Sequence, residues 1–163
     1  MPHIPSNFLC KLYLYQMKKL IKLFRPILIL GMRSWWYITR PITSGAKVVI
    51  ICGNEILLIK TTYGYNYTLP GGGMKKKENP EDAAKREVLE EVGIQLEKIT
   101  PLPPFVTFIE HKEDTVHGFY SEVKTKDYKL DLLEIDSAEW HPINNLPKVG
   151  PITDKIINLY KNR

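Results

Sequence analysis

One stretch of the chain, residues 71–94 (GGGMKKKENPEDAAKREVLEEVGI), predicts a glycine-rich loop followed by a helix. Asn79 is a good N-cap residue, and Pro80 suits the first helical position because its missing N–H needs no partner there. Gly93 suits the end of a helix, where the backbone often turns left-handed. The sequence therefore predicts a helix over residues 81–92, preceded by a loop that begins with three glycines.

The predicted helix has an apolar stripe and an acidic face. Ala84, Val88 and Val92 recur every four residues and form the stripe. The acidic face holds three glutamates: Glu87, Glu90 and Glu91. Like charges this close destabilise a helix by about 0.2–0.5 kcal/mol per pair, which indicates that a cation lies beside them. Mg²⁺ prefers oxygen ligands and bridges carboxylates to phosphates, whereas the alternative is a solvated acidic face.

Short apolar runs on both sides of this stretch predict a β-sheet. Residues 47–52 and 55–60 are rich in β-branched and aliphatic side chains, and Gly53-Asn54 between them is a hairpin signal. Further strands are predicted downstream, at residues 116–123, 130–133 and 138–141. A closing amphipathic helix is predicted from Ile152, Ile156, Leu159 and Tyr160. Strands combined with two helices indicate an α+β fold or a layered α/β/α sandwich.

The first 45 residues differ from the rest of the chain in charge. They carry seven Lys and Arg side chains and no Asp or Glu, whereas the remaining 118 residues carry 16 basic and 18 acidic side chains. The basic balance therefore belongs to an N-terminal arm and does not indicate that the main domain binds a nucleic-acid polymer. We take residues 1–44 as the arm and residues 45–163 as the domain.

The arm is predicted to be a basic amphipathic helix. At about 100° per residue, one face collects Lys11, Lys18, Lys19, Lys22 and Arg25. The opposite face collects Tyr13, Met17, Leu20, Ile21, Leu23 and Phe24. Pro26 is predicted to end this helix. The arm either packs its apolar face on its own domain, which is the commoner use of such a helix, or lies on an anionic membrane surface.

Cysteine content and charge pattern predict a cytoplasmic location. Cys10 and Cys52 are too few for a disulfide scaffold and have no metal-ligand spacing. Lys22 and Arg25 interrupt the apolar region that a signal peptide would need, although Met17 is an alternative start. A peripheral position on the inner face of the membrane is the alternative to a purely cytoplasmic one.

The polar and glycine positions between residues 72 and 94 follow one fixed spacing. It reads Gly72, five residues, Glu78, seven residues, Arg86-Glu87-Val88, one residue, Glu90-Glu91, one residue and Gly93-Ile94. Every one of these positions matches the Nudix box, so the chain resembles the Nudix hydrolase family. The resemblance is tight over about 24 residues and extends over residues 45–146. It implies a Nudix-type α/β/α sandwich with a mixed sheet.

The resemblance also implies a site for Mg²⁺, with Mn²⁺ as an alternative. In the family, the metal ligands match the following positions: the Gly71 carbonyl, Glu87, Glu90 and Glu91. Arg86 would orient Glu87 through a salt bridge, and Gly72 and Glu78 would support the loop. The expected partner is a nucleotide-type diphosphate, and a homodimer is an alternative to a monomer.

The reaction implied by the resemblance is attack of water on a diphosphate joined to another group, usually a nucleoside. A carboxylate would take the proton of the water. Glu87 and Glu134 compete for this role, with Glu110, Glu113 and Glu122 behind them. The candidate substrates are nucleoside triphosphates, nucleotide sugars, ADP-ribose and similar molecules. The alternative function is a catalytically weak nucleotide-sensing or membrane-tethered module, which the intact set of glutamates disfavours.

Residues outside the box offer weaker signals for substrate binding. Tyr63, Tyr65 and Tyr67 could stack on a nucleobase, although alternating aromatic residues more often pack within a strand. His111 and His117 could contact phosphate, although a lone histidine is usually structural. The sequence alone therefore does not choose among the diphosphates.

Overall fold

The computed structural model describes residues 6–62, 64–109, 111–131 and 133–163. Tyr63 and Glu110, two of the residues considered above, lie outside these ranges. The elements in chain order are α1 (Ser6–Thr39), β1 (Ile42–Cys52), β2 (Glu55–Thr61), α2 (Pro80–Val92), β3 (Thr100–Pro101), β4 (Phe105–Ile109), β5 (Lys112–Glu122), β6 (Ile135–Pro142) and α3 (Pro151–Lys161).

The strands form one mixed sheet in the order β3-β5-β1-β2-β6, with β4 paired to β5. β1 and β2 form the predicted hairpin and pair antiparallel next to their turn, at Ile51↔Ile56 and Cys52↔Glu55. β1 and β5 pair in parallel over ten residue pairs, beginning at Ile42↔Glu113. A parallel pair needs a long crossover connection, and α2 lies within the chain segment that joins these strands.

The two faces of the sheet are covered by different helices because side chains alternate along each strand. The face beneath α2 is filled by buried apolar side chains, among them Ala46, Val48, Ile50, Val88 and Val92. The opposite face is filled by a second buried set, among them Val49, Ile51, Ile56, Ile156 and Ile157, the last two from α3. This arrangement confirms the predicted α/β/α sandwich with a mixed sheet.

Helix α2 agrees with its sequence signals at both ends. Asn79 Oδ1 accepts a hydrogen bond from the Glu81 N–H at 2.9 Å. Gly93 adopts a left-handed conformation with φ 66°, and its N–H donates to the Leu89 carbonyl. Because both ends are capped, the helix presents its stripe to the sheet along its whole length, and this packing also carries Glu91 into the interior.

Two expectations about local structure are wrong. Helix α1 continues through Pro26 to Thr39, since one proline removes a single backbone hydrogen bond while the turns on either side keep theirs. Residues 130, 131 and 133 form no strand. The backbone N–H groups of Lys129 and Asp131 instead donate to carbonyls at the end of α2, those of Val92 and Glu91.

The junction between arm and domain lies close to the predicted boundary. β1 begins at Ile42, three residues before Gly45. The end of α1 contacts the turn between β4 and β5, where Tyr37 stacks edge-on against His111 at 5.0 Å. Within the described part of the chain, none of the helices combines the length and the apolar character that a membrane crossing requires. The division into an arm and a domain stays a prediction.

Candidate active site

The glycine loop, defined here as residues 69–73, lies against the first half of β1. The N–H groups of Val48 and Ala46 donate to the carbonyls of Pro70 and Gly72, each at 2.9 Å. β2 pairs with β1 next to the hairpin turn, whereas the glycine loop lies on the same side of β1 at its earlier residues. Main-chain hydrogen bonds to a central strand fix the loop to the sheet.

Glycine is required at the centre of this loop. Gly71 has φ 129°, a conformation that side chains rarely adopt. A Cβ atom added there would clash with the carbonyl oxygen of Ala46 and lie 2.7 Å from the Cα of Lys47. A Cβ on Gly72 would clash with the Glu87 carboxylate. The absence of side chains at these positions lets the loop approach both β1 and α2.

Glu91 is the buried carboxylate of the site, with 5% of its surface exposed. Its Oε2 accepts a hydrogen bond from the Gly71 N–H at 2.8 Å. Burial raises the pKa of Glu91 to about 7, although the Gly71 hydrogen bond and the charge of Lys47 oppose that increase. The charges of Glu87 and Glu134 raise this pKa further, so both carboxylates act on Glu91.

Arg86 gathers three carboxylates around one guanidinium group. Its Nε and Nη2 donate to the two oxygens of Glu78 at 2.8 and 2.9 Å. Its Nη1 donates to Glu87 at 2.5 Å and to Glu90 at 3.1 Å. Its Nη2 also donates to the Gly73 carbonyl at 3.1 Å, which ties α2 to the glycine loop. The hydrogen bonds from Arg86 lower the pKa of Glu78 to about 2.

The donor set fits a hard divalent cation, although the side chains are paired internally. Within the described residues, no group of three or more His, Cys, Asp or Glu side chains surrounds a single metal position. Glu87 and Glu90 bind Arg86, whereas Glu91 binds the Gly71 N–H. The Glu90 side chain is 58% exposed, so its ion pair with Arg86 is open to solvent. Carboxylate and carbonyl oxygens are the ligands that Mg²⁺ and Mn²⁺ prefer.

Lys47 is a residue of this site that the sequence analysis missed. Its Nζ donates to the Leu69 and Gly71 carbonyls, each at 3.0 Å. Burial lowers the pKa of Lys47, and the charges of Glu91, Glu87 and Asp114 oppose this shift. The available signal was a lysine beginning the apolar run KVVIIC, whose next four residues, 48–51, are buried.

Two cavities meet at Lys47. The tyrosine cavity has a volume of about 320 Å³ and a lining that includes Lys47, Tyr65, Tyr67, Gly71, Glu91 and Thr153. The strand-end cavity has a volume of about 280 Å³ and a lining that includes Lys47, Thr43, Gly72, Gly73, Lys112 and Asp114. Glu91 therefore borders a cleft that is divided at Lys47, with Tyr65 and Tyr67 on one side. The stacking of these tyrosines on a nucleobase stays a prediction.

The remaining predicted residues, apart from Glu134, are dispersed. Glu134 is exposed on the turn before β6, and its carbonyl accepts from the Thr62 N–H. Glu122 pairs with Ile51, four residues along β1 from Lys47, and lines a different cavity. Glu113 lies beside the end of the arm, and His111 contacts Tyr37. His117 lies on β5, opposite Ala46 of β1.

Comparison with known proteins gives consistent matches. The family model described as the NUDIX domain matches residues 42–160. Diphosphoinositol polyphosphate phosphohydrolase 3-alpha of Mus musculus is 34% identical over 103 residues, which cover 59% of this chain and 60% of that protein. NAD-capped RNA hydrolase NudC of Haemophilus influenzae is 29% identical over 133 residues, covering 76% of this chain and 50% of that protein. The chain thus spans between half and three fifths of these relatives.

Solved structures share the fold. A MutT NUDIX hydrolase from Burkholderia pseudomallei has a TM-score of 0.66 at 22% identity and covers 73% of this chain and 98% of its own. The NUDIX domain of Shewanella oneidensis NrtR, complexed with ADP ribose, has a TM-score of 0.67 at 13% identity and covers 77% of this chain and 90% of its own. At these identities the likeness shows a shared fold alone, that is, the same arrangement of the sheet and its helices.

Proposed function

Because the chain belongs to the Nudix hydrolase family, we propose that it is a divalent-metal-dependent hydrolase that cleaves a nucleoside diphosphate joined to another group. The observation that carries this proposal is the carboxylate cluster around the glycine loop. Glu78, Glu87 and Glu90 surround Arg86, and the buried Glu91 binds Gly71. A solvated acidic face would need neither the buried carboxylate nor the glycines packed against it.

The metal ligands in this proposal are the Gly71 carbonyl, Glu87, Glu90 and Glu91. When bound, Mg²⁺ or Mn²⁺ would neutralise phosphate oxygens and lower the pKa of the attacking water. Arg86 holds Glu87 and Glu90 on the side of α2 that faces the glycine loop. Gly72 leaves the space that the Glu87 carboxylate occupies. The chain itself therefore supplies orientation before any substrate arrives.

Glu87 and Glu134 stay the two candidates for the general base. Both border the site, since the charge of each raises the pKa of Glu91. Glu87 is oriented by Arg86, whereas Glu134 lies on an exposed turn. The pH profiles of kcat for Glu87→Gln and Glu134→Gln would separate them, because loss of the base removes the acidic limb of the profile in one variant.

A substrate screen tests the proposed reaction. We expect Mg²⁺-dependent cleavage of at least one class among nucleoside triphosphates, nucleotide sugars, ADP-ribose and dinucleoside polyphosphates. Nucleoside monophosphates should not be cleaved, because the cluster is suited to the charge of bridged phosphates. Product formation with Mg²⁺ or Mn²⁺ and with a chelator is the measurement. Cleavage of phosphomonoesters alone would overturn the proposal, and nucleotide binding without cleavage would favour the sensing module.

We also propose that α1 binds an anionic lipid surface. Leu23, Ile27, Leu30 and Ile38 are between 66% and 76% exposed. At 100° per residue they fall within about 80° of one another, on one side of the helix. The arm adds seven basic residues and no acidic residue. An apolar face flanked by positive charge suits the boundary between anionic headgroups and acyl chains.

The homodimer also stays a prediction, and analytical sedimentation would measure the oligomeric state.

Vesicle flotation tests the lipid proposal. The full chain should float with vesicles that contain anionic phospholipid and bind less as salt is raised, because charge contributes to the interaction. Leu23→Gln combined with Leu30→Gln should weaken flotation severalfold without changing charge. Leu133→Gln is the matched control, since this leucine is 46% exposed but lies outside the arm. Equal flotation of the control and the double variant would contradict lipid binding by this face.

A further inference from the structure

The position of Lys47 between two cavities is not explained by the carboxylate cluster. Lys47 lines both the tyrosine cavity and the strand-end cavity. The tyrosine cavity also contains Glu91, and the strand-end cavity also contains Gly72 and Gly73. A diphosphate that carries a group at each end and extends from one cavity into the other would therefore pass the ammonium group of Lys47.

The hydrogen bonds of Lys47 leave room for such a ligand. An ammonium group has three N–H donors. Two of them bind the Leu69 and Gly71 carbonyls. Within the described part of the chain, the third donor has no protein acceptor. A phosphate oxygen would complete the set with a charge-assisted hydrogen bond, which is stronger than a neutral one.

Charge balance around Lys47 leads to the same ligand. The carboxylates of Glu91 and Glu87 stabilise the ammonium charge in the metal-free protein. Under the proposed function, Glu91, Glu87 and the Gly71 carbonyl would hold a divalent cation. Lys47 would then lose one hydrogen-bond acceptor and would share its nearest anions with that cation. A diphosphate oxygen would restore both the hydrogen bond and the negative charge beside the ammonium group.

A purely structural clamp explains Lys47 less well. The glycine loop is already held to β1 by the N–H groups of Ala46 and Val48. Burying an ammonium group costs free energy unless it is fully paired, and an apolar side chain of similar length would fill the same space without that cost. A structural clamp alone would not need a charge at this position, whereas an anionic ligand would use it.

We propose that Lys47 is a further catalytic residue that binds the diphosphate of the substrate directly. This inference rests on the proposed function, from which it takes the diphosphate. The role differs from that of the glutamates, because Lys47 contacts the substrate and not the metal. It predicts that loss of the ammonium charge weakens diphosphate binding while metal binding persists.

Binding of imidodiphosphate, a diphosphate analogue that resists hydrolysis, tests this role without requiring turnover. Calorimetry at saturating Mg²⁺ should give an affinity at least about tenfold weaker for Lys47→Met than for the parent, a loss of about 1.4 kcal/mol. Mg²⁺ binding in the absence of imidodiphosphate should be unchanged or tighter, because a competing cation has been removed. Lys47→Arg should keep part of the affinity, since it keeps the charge.

Lys85→Met is the matched control, because Lys85 pairs with Glu81 on α2 and lies outside both cavities. It should bind imidodiphosphate as the parent does. If Lys47→Met binds imidodiphosphate with the affinity of the parent, the proposal is overturned. An equal loss of Mg²⁺ binding would overturn it as well, because it would show that Lys47 only holds the glycine loop in place. If Lys47→Met does not fold, Lys47→Gln decides the same comparison. Binding without cleavage of any substrate would refute the hydrolase proposal and leave the assignment of Lys47 standing.

Discussion

Glu91→Gln is expected to reduce Mg²⁺-dependent turnover by about a thousandfold or more, because it removes one charge from the buried ligand of the proposed metal site. The substitution keeps the size of the side chain, and the amide oxygen can still accept the Gly71 N–H. Mg²⁺ affinity should fall together with kcat. Steady-state kinetics over a Mg²⁺ titration would measure both quantities.

The matched control for this variant is Glu81→Gln. Glu81 lies in the first turn of the same helix and pairs with Lys85 at the surface. Exposed i,i+4 pairs contribute about 0.3–0.5 kcal/mol, so the control should keep its activity and nearly all of its stability. If Glu91→Gln retains full activity and the parental Mg²⁺ response, the glutamates are a solvated helix face and the hydrolase proposal is wrong.

Although Glu91→Gln should lose activity, its metal-free form should be more stable than the metal-free parent protein above the unfolded pKa of Glu91. The pKa of Glu91 is about 7 in the folded protein against an ordinary value of 4.5. A carboxyl whose pKa is raised on folding costs nothing below its unfolded pKa and destabilises the fold increasingly as the pH rises toward its folded pKa. Glu91→Gln should therefore match the parent near pH 4 and be more stable at pH 8, by up to about 3 kcal/mol.

Thermal melting of both proteins across this pH range, with and without Mg²⁺, is the measurement. Mg²⁺ should raise the Tm of the parent, because a ligand that binds the folded state alone stabilises it by mass action. The Glu91 variant should show a much smaller increase. A variant that is less stable than the parent at pH 8 without metal would show that burial of the charged carboxylate is not a cost in this site.

Gly71→Ala is expected to destabilise the fold by about 3 kcal/mol or more and to abolish most of the activity. Its φ of 129° is strained for alanine, and the new methyl group would meet backbone atoms of Ala46 and Lys47. These atoms belong to β1, which pairs with β5 along its length, so they cannot move without disturbing the sheet. Chemical denaturation would measure the change in the free energy of unfolding.

Gly73→Ala gives a closely matched comparison. Gly73 lies two residues farther along the same loop, has no positive φ, and a Cβ there would have no atom within 4 Å. Its unfolding free energy should change by about 0.5 kcal/mol at most. Similar losses in the two alanine variants would mean that the loop tolerates no substitution for a reason other than contact with β1.

Local signals explain why α2 and the acidic face could be predicted. The cap at Asn79, the stripe of apolar residues and the stop at Gly93 all act within a few residues of one another. The sharing of Arg86 among three carboxylates also depends on Glu78, which lies before the helix and contacts Arg86 through the fold of the intervening loop. The resemblance to the Nudix box implied the pairing of Arg86 with Glu87 but gave no geometry for the other two carboxylates.

Long-range pairing explains what the sequence did not reveal. The parallel pairing of β1 with β5 joins segments about 70 residues apart, and no local pattern encodes it. Lys47 acquires its role only because this pairing and the glycine loop bring carbonyls and carboxylates around it. The short strand β4 likewise depends on its pairing with β5 and not on local propensity.

The pairing of the glycine loop with β1 also determines how the cleft can open. A loop whose main chain is bonded to a central strand unfolds with that strand, as part of the most slowly opening cooperative unit of the domain. Flap motion of this loop would then require breaking the core, which is far rarer than a change of side-chain rotamer. Entry and departure of ligands should consequently depend on rearrangement of side chains around the cleft, and not on opening of the glycine loop.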